Sequence, residues 1–249
     1  MSDDPTTPSP TTLTVLMPCF NEAATLAEAV DRVRAVRGDG LAVDVLIVDD
    51  GSDDGSQALA LELAERFAGV RALLHGTNRG KGAALHTGIA AARGDLVAVQ
   101  DADLEYDPRA LPRLAQPLID GEADVVIGSR FLPGGHAGGS RPATTAWHAW
   151  GNRALTGLSN LCTGLRLTDM EACQKVFRRG LLQSLELRER GFGFEPEVVA
   201  AVARRRARVV ELPVPYRPRT AAEGKKIRAR DGLRALRCIL RQGLRRARP

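Results

Sequence analysis

Asp101 and Asp103, one residue apart and with Glu105 two further on, follow the apolar run Leu96–Val99. A chain that turns after a buried strand brings such carboxylates to a common point. Hard divalent cations such as Mg²⁺ or Mn²⁺ take oxygen ligands of this kind, together with phosphate oxygens. Asp101, Asp103 and Glu105 are therefore the candidate metal ligands; the bland alternative is an acidic loop that caps a helix starting near Pro108. Asp49-Asp50-Gly51-Ser52 follows a second apolar run, Val43–Val48. A carboxylate there can accept hydrogen bonds from a ribose hydroxyl or a base N–H, while an Asx turn with an N-cap from Asp53, Asp54 or Ser56 accounts for the same residues. Asn78-Arg79-Gly80-Lys81-Gly82 is built like a phosphate cradle: glycines permit close backbone approach, Lys81 adds charge and a helix N-terminus follows. It is neither a P-loop nor a dinucleotide fingerprint, because the spacings those motifs need are missing.

The second half of the chain is cationic. Arg130, Arg141, Arg217, Arg219, Lys225 and Lys226 are candidates for holding a phosphate, since guanidinium forks match phosphate oxygens. The run Arg204–Arg208 reads instead as a solvated face. His75, His86, His136 and His148 lack ligand spacing, and Cys173 has no base within reach along the sequence to make it a nucleophile.

Positioning these groups requires alternating strands and helices. Leu13–Met17, Val43–Val48, Val70–Leu74, Leu96–Val99 and Asp124–Ile127 read as strands, and Val209–Val214 as a late one. Helices are expected after Asn21 as a cap, from about Ser56, after Gly82, near Pro108, over Trp147–Leu165 and over Phe194–Arg206. The pattern predicts an α/β fold, a mostly parallel sheet flanked by helices, whose ligands gather outside the carboxyl ends of the strands. Four polar clusters stand at such ends: Pro18 with Asn21 and Glu22, Asp49-Asp50, the cradle, and Asp101-Ala102-Asp103. Pro133–Ser140 is too rich in glycine for regular structure. The segment from Asp231 predicts a helix with Leu233, Leu236, Leu240 and Leu244 on one stripe and arginines around it, suited either to a bilayer interface or to packing on the domain.

Composition sets the bounds. The 249 residues, 44% hydrophobic and 26% charged, suffice for one good core and exclude global disorder. No stretch reaches the ~18 apolar residues of a membrane span, which predicts a soluble or peripheral protein. The first residues are polar, with no apolar region of a signal peptide. The four cysteines lack metal spacing and read as reduced thiols. The net charge of +5 sits toward the C-terminus, but few aromatics accompany it, so nucleic acid is not an expected partner.

The set VLMPCFNEAATL, VDDGSDDGS, NRGKGAALHTGI and GDLVAVQDADLEYDP resembles family 2 glycosyltransferases of the GT-A fold. GSRF, TDMEACQKVFRR, FGFEPEVVA and YRPRTAAEGKKI extend the likeness toward the polyprenyl-phosphate (dolichyl-phosphate) mannosyl- and glucosyltransferase branch, over residues 12–240. The resemblance implies a disordered tail over 1–11, a GT-A (Rossmann-like) catalytic domain over 12–230 and a basic amphipathic helix over 231–249. It implies that Pro18, Asn21, Glu22, Asp50 and Lys81 surround the nucleotide and that Asp101 and Asp103 seat Mg²⁺ or Mn²⁺ on its diphosphate. Arg130, helped by Arg141, would meet an acceptor phosphate, with Asp169 near the sugar or acceptor. Arg217, Arg219, Lys225 and Lys226 would close over the phosphates. The expected reaction moves a hexose from GDP-mannose or UDP-glucose to a polyprenyl phosphate with inversion, at the inner face of the cell membrane. A hydroxyl acceptor, with Asp169, Glu195 or Glu197 as base, and a nucleotide-sugar binding module without turnover are the alternatives.

Overall fold

In the computed structural model, residues 9–134, 146–219 and 229–246 are described. The first part is a run of strand–helix units: β1 (Thr11–Cys19), α1 (Leu26–Arg34), β2 (Leu41–Asp49), α2 (Ser56–Arg66), β3 (Val70–Leu74), α3 (Lys81–Ala91) and β4 (Leu96–Val99). The four strands pair in parallel in the order β3-β2-β1-β4. Parallel strands covered on both faces need near-continuous apolar runs. Leu13 and Val15–Met17, Val45–Val48 and Leu96–Val99 supply them, all essentially buried. The connections walk outward from β1 to β3 and then jump back to β4. Right-handed crossovers therefore put α1 and α2 on one face and α3 on the other, with the switch point between β1 and β4.

A short 3-10 turn (Pro108–Ala110) leads into α4 (Leu111–Ile119), followed by β5 (Val125–Ser129), α5 (Ala146–Thr163), β6 (Lys175–Arg178), α6 (Arg179–Gln183), α7 (Phe194–Arg204), β7 (Val209–Pro213) and α8 (Ala229–Arg246). The seven-stranded sheet runs β3-β2-β1-β4-β6-β5-β7, with β6 antiparallel between β4 and β5. The sequence did not predict β6: residues 170–174 form a loop that ends in this four-residue strand, buried over its first three residues.

Two boundaries differ with a local cause. Asn21 is not a helix cap; it adopts φ 52° and its side chain exchanges hydrogen bonds with Asp53, so α1 begins only at Leu26. Helix α8 begins at Ala229 and packs on α5 and α7 with Ala235, Cys238, Ile239 and Gln242, small or slender residues that permit close approach. Of the expected leucine stripe, Leu233 is 68% and Leu240 49% exposed, flanking exposed Arg234 and Arg237, while Leu236 is half-buried. The glycine-rich segment 135–140 and most of the basic loop expected over 217–230 lie outside the described residues.

Candidate active site

The paired registers bring the ends of β1, β2, β4, β5 and β7 and the start of β6 to one rim. At its donor flank, Asp49 forms the Asx turn, accepting from Gly51 N, Ser52 N and the Ser52 hydroxyl. Gly51 has φ +77°, and a Cβ there would lie 2.4 Å from the Thr77 carbonyl carbon, so the loops after β2 and β3 interlock only with glycine at this position. Asp50 is buried and its carboxylate accepts from Arg79 N, from Gly80 N at 2.7 Å and from His75 Nδ1 at 2.7 Å. It therefore shapes the cradle loop 78–80, and any effect it has on a nucleotide passes through that loop. Pro18 is half-buried in β1 opposite Val48, and Asn21 N bonds the Ser52 hydroxyl, fixing the first loop against the second.

Lys81 opens α3 and bridges Asp101 at 3.0 Å and Glu195 at 3.2 Å. Burial opposes its charge, but the two carboxylates prevail and hold its pKa well above the ordinary lysine value. The turn after β4 places Leu104 at φ 63°, a conformation non-glycine residues rarely adopt, and Glu105 N bonds Asp103. Burial first, then the neighbouring charges of Asp101 and Glu105, push Asp103 up to about 7. Arg219 answers this crowding: it takes Glu22 through two hydrogen bonds of 2.9 and 3.0 Å and lies 3.4 Å from Asp103.

The described residues contain no preformed group of three or more metal-ligating side chains. Glu105, expected as a third ligand, is turned aside: its carboxylate accepts from the Tyr216 hydroxyl at 2.7 Å and from Arg219 N at 2.8 Å. Asp101 and Asp103 still fit a divalent cation. Both are oxygen donors, both are partly exposed, and each already faces a cation from this chain. Two carboxylates suit Mg²⁺ or Mn²⁺, whose other positions go to phosphate oxygens and water.

The acceptor flank is organised by Asp169, fully buried. It accepts Arg130 Nε and Nη2, both at 2.7 Å, the Arg130 backbone N–H at 3.0 Å and Asn152 Nδ2 at 3.0 Å. Its own backbone N–H is held by Glu211. The Arg130 guanidinium lies over the Tyr216 ring, 5.1 Å from its centroid. Asp169 thus aims Arg130 and is itself shielded. Arg217 is exposed and is joined to the acidic turn only through its backbone, to Glu105 O at 2.8 Å. Arg141, Lys225 and Lys226 lie outside the described residues.

Several participants carried no site signal in the sequence. Glu195, read there only as a possible base, is the second partner of Lys81. Tyr216 stacks on Tyr106 with centroids 4.9 Å apart and joins Glu105 to Arg130. Glu171 has a buried, unpartnered oxygen, and burial together with nearby Glu195 pushes its pKa up to about 8. Cys173 is buried, its thiol pushed far above the range of a reactive cysteine, which agrees with its exclusion as nucleophile.

A doubly wound sheet that gathers an acidic turn paired with cations and a glycine-rich helix start on one rim places its polar groups where this class of α/β proteins binds ligands. Comparison with known proteins narrows this. The family "Glycosyl transferase family 2" matches residues 14–185, so the chain belongs to the family 2 glycosyltransferases. It is 32% identical over 216 residues to an undecaprenyl-phosphate mannosyltransferase of Micrococcus luteus, covering 84% of this chain and 85% of that one. It is 32% identical over 235 residues to a polyprenol monophosphomannose synthase of Mycolicibacterium smegmatis, covering 90% and 84%. Among solved structures, glucosyl-3-phosphoglycerate synthase from Mycobacterium tuberculosis, in complex with Mn²⁺, uridine diphosphate and glucosyl-3-phosphoglycerate, shares the fold with a TM-score of 0.69 at 24% identity, covering 93% of this chain and 80% of that one.

Proposed function

We propose that this glycosyltransferase moves a hexose from GDP-mannose or UDP-glucose to a polyprenyl phosphate, with inversion, in a reaction that depends on Mg²⁺ or Mn²⁺. The observation that carries the reading is the pairing on one rim of exchangeable cation–carboxylate contacts at Asp101 and Asp103 with an arginine, Arg130, locked in place by a buried carboxylate. The two relatives named for transfer to undecaprenyl phosphate and for polyprenol monophosphomannose synthesis support the acceptor class.

A divalent ion held by Asp101 and Asp103 would stabilise the negative charge that develops on the departing diphosphate. Lys81, at the end of a loop whose Arg79 and Gly80 N–H groups are held by Asp50, binds and orients that diphosphate. Arg130, aimed by Asp169, holds the acceptor phosphate. A phosphate monoester has its second pKa near ~6, so it presents an ionised oxygen at neutral pH and needs positioning, not deprotonation. Attack opposite the leaving group converts an α-linked donor into a β-linked lipid phosphate.

Among the described residues, no helix is long and apolar enough to cross a membrane. Access to a lipid acceptor is then peripheral. Helix α8 presents exposed Leu233 and Leu240 among arginines, and the neighbouring α5 presents Trp150, 70% exposed, and Leu161, 81% exposed, on one of its faces. Apolar side chains flanked by cations suit an anionic bilayer surface, where each cation contributes about 1 kcal/mol.

The test offers radiolabelled GDP-mannose and UDP-glucose with Mn²⁺, with and without polyprenyl phosphate. Label should enter the organic phase only when the lipid is present. Transfer solely to a hydroxyl-bearing acceptor sinks the reading.

A further inference from the structure

The loop Arg188–Gly193, which runs into the FGFEPEVVA segment at Phe192, backs the cradle. A Cβ on Gly82 would lie 2.2 Å from Glu189 O, and one on Gly80 2.3 Å from Arg190 O. Arg190 O also accepts the Ala83 N–H at 3.0 Å. The first turn of α3, which carries Lys81, is therefore seated against the carbonyls of this loop. Any shift of the loop is felt at Gly80 and Gly82, because there is no side chain between them to absorb it.

What fixes the loop is Glu197 on α7, fully buried. Its Oε2 accepts both the Arg188 N–H at 2.7 Å and the Glu189 N–H at 2.6 Å. Its Oε1 accepts Gln242 Nε2 from α8 at 3.1 Å, with the Arg241 guanidinium 3.7 Å away. Gln242 is oriented in turn, since its Oε1 accepts Arg204 Nη1 at 2.8 Å. Only a group that accepts on both ends fits between two backbone donors on one side and an amide donor on the other. Helix α8 also touches the loop directly, through Arg241 to Glu189 and through the Cys238 thiol to Gly193 O.

We propose that Glu197 is a positioning residue for the donor site, holding the Arg188–Arg190 loop against the first turn of α3, and that α8, through Gln242, is a working part of that site. The chain of contacts runs Arg204, Gln242, Glu197, loop backbone, Gly80 and Gly82. This rests on the reading of residues 78–85 as the diphosphate cradle. It assigns Glu197 a role other than that of a base, and it gives the terminal helix a task whether or not it meets a membrane.

The hydrogen-bond directions provide the experiment. In Glu197→Gln the amide oxygen can keep the two backbone N–H groups, but its NH₂ then faces the NH₂ of Gln242, and two donors meet. Combining it with Gln242→Glu restores a donor–acceptor pair and sets the new carboxylate beside Arg204. Gln242 and Arg204 line a cavity of about 390 Å³ between α5, α7 and α8, which leaves room for the exchange. Binding of UDP and of GDP to the full chain with Mn²⁺ is measured by calorimetry, and exchange of the Ala83 amide by mass spectrometry. Glu197→Gln should weaken nucleotide binding about tenfold and speed Ala83 exchange, the scale set by an unsatisfied buried donor. The double variant should return both to within about threefold of the native values. A single variant that binds like the native chain, or a double variant no better than the single, overturns the proposal. If the single variant does not fold, Gln242→Leu is read instead: about threefold weaker binding is expected, and unchanged binding overturns it. Lys81→Ala separates the two layers. If the native chain binds neither nucleotide, or Lys81→Ala binds as well as the native chain, the cradle reading itself has failed. If Lys81→Ala alone loses affinity, only the role of Glu197 is refuted.

Discussion

On the donor flank Lys81 and Arg219 each bridge more than one carboxylate, and the acidic partners Asp101 and Asp103 are 20% and 19% exposed. On the acceptor flank a single carboxylate, Asp169, grips Arg130 through its side chain and backbone at 0% exposure, with Asn152 completing the shell. The cations on the two flanks are similarly buried, and the difference lies in the carboxylates: breaking a pair whose carboxylate is fully enclosed, as Asp169 is, leaves an uncompensated charge and costs about 3–5 kcal/mol. On the proposed reading, the donor flank would trade its own cations for a metal ion and a diphosphate. The acceptor flank is built to keep one cation still.

Substitutions should separate the two. Asp103→Ala removes a carboxylate that no neighbour replaces, and initial rates should fall by about a thousandfold or more, as for loss of a charge-stabilising group at the transition state; residual turnover above a tenth of native would show the carboxylate dispensable. Arg130→Lys replaces a fork by a point charge. Turnover should drop about a hundredfold and the melting temperature should fall, because Asp169 loses a paired donor; a rate loss without a melting change would refute the rigid reading of this flank. Arg219→Lys keeps the charge but loses the two-pronged grip on Glu22, so turnover should slow about tenfold, with a smaller fall in melting temperature than for Arg130→Lys. Smallest is a surface control. Arg208 holds Asp124 down at about 2 by direct hydrogen bonds, so this pair stabilises fully above the ordinary aspartate pKa and its contribution is lost as pH falls toward 2. Chemical denaturation of Asp124→Asn should show a flatter acid limb than the native protein between about pH 4 and 2, with no change in rate at neutral pH.

Which parts were legible in the sequence follows the same division. The donor flank is made of loops that follow strands, and each strand is mostly apolar, with single polar residues such as Thr14, Asp44 and Arg71, so Asp50, Lys81, Asp101 and Asp103 could be placed on a rim from spacing alone. Their partners could not. Tyr216 reaches Glu105 across 111 residues, and the Lys81–Glu195 contact depends on how α7 packs. Strand β6 escaped notice because four buried residues after a polar loop carry no readable period. Which face of α8 packs on the domain could not be read from the sequence for a related reason. Leucines mark an apolar stripe, but close packing between helices selected Ala235, Cys238 and Ile239, and the larger residues were left outside.

The reversed strand β6 has a consequence for how such a molecule diversifies. Because β5 runs up to the rim and β6 departs from it, everything from Arg130 to Gln174, α5 included, is an excursion whose two ends stay stapled to neighbouring strands. Lengthening, shortening or re-facing that excursion leaves the β1–β4 platform in register. On the proposed reading, new receivers for the sugar could thus be auditioned in one contiguous stretch of chain, while the rim assigned to the nucleotide is inherited unaltered.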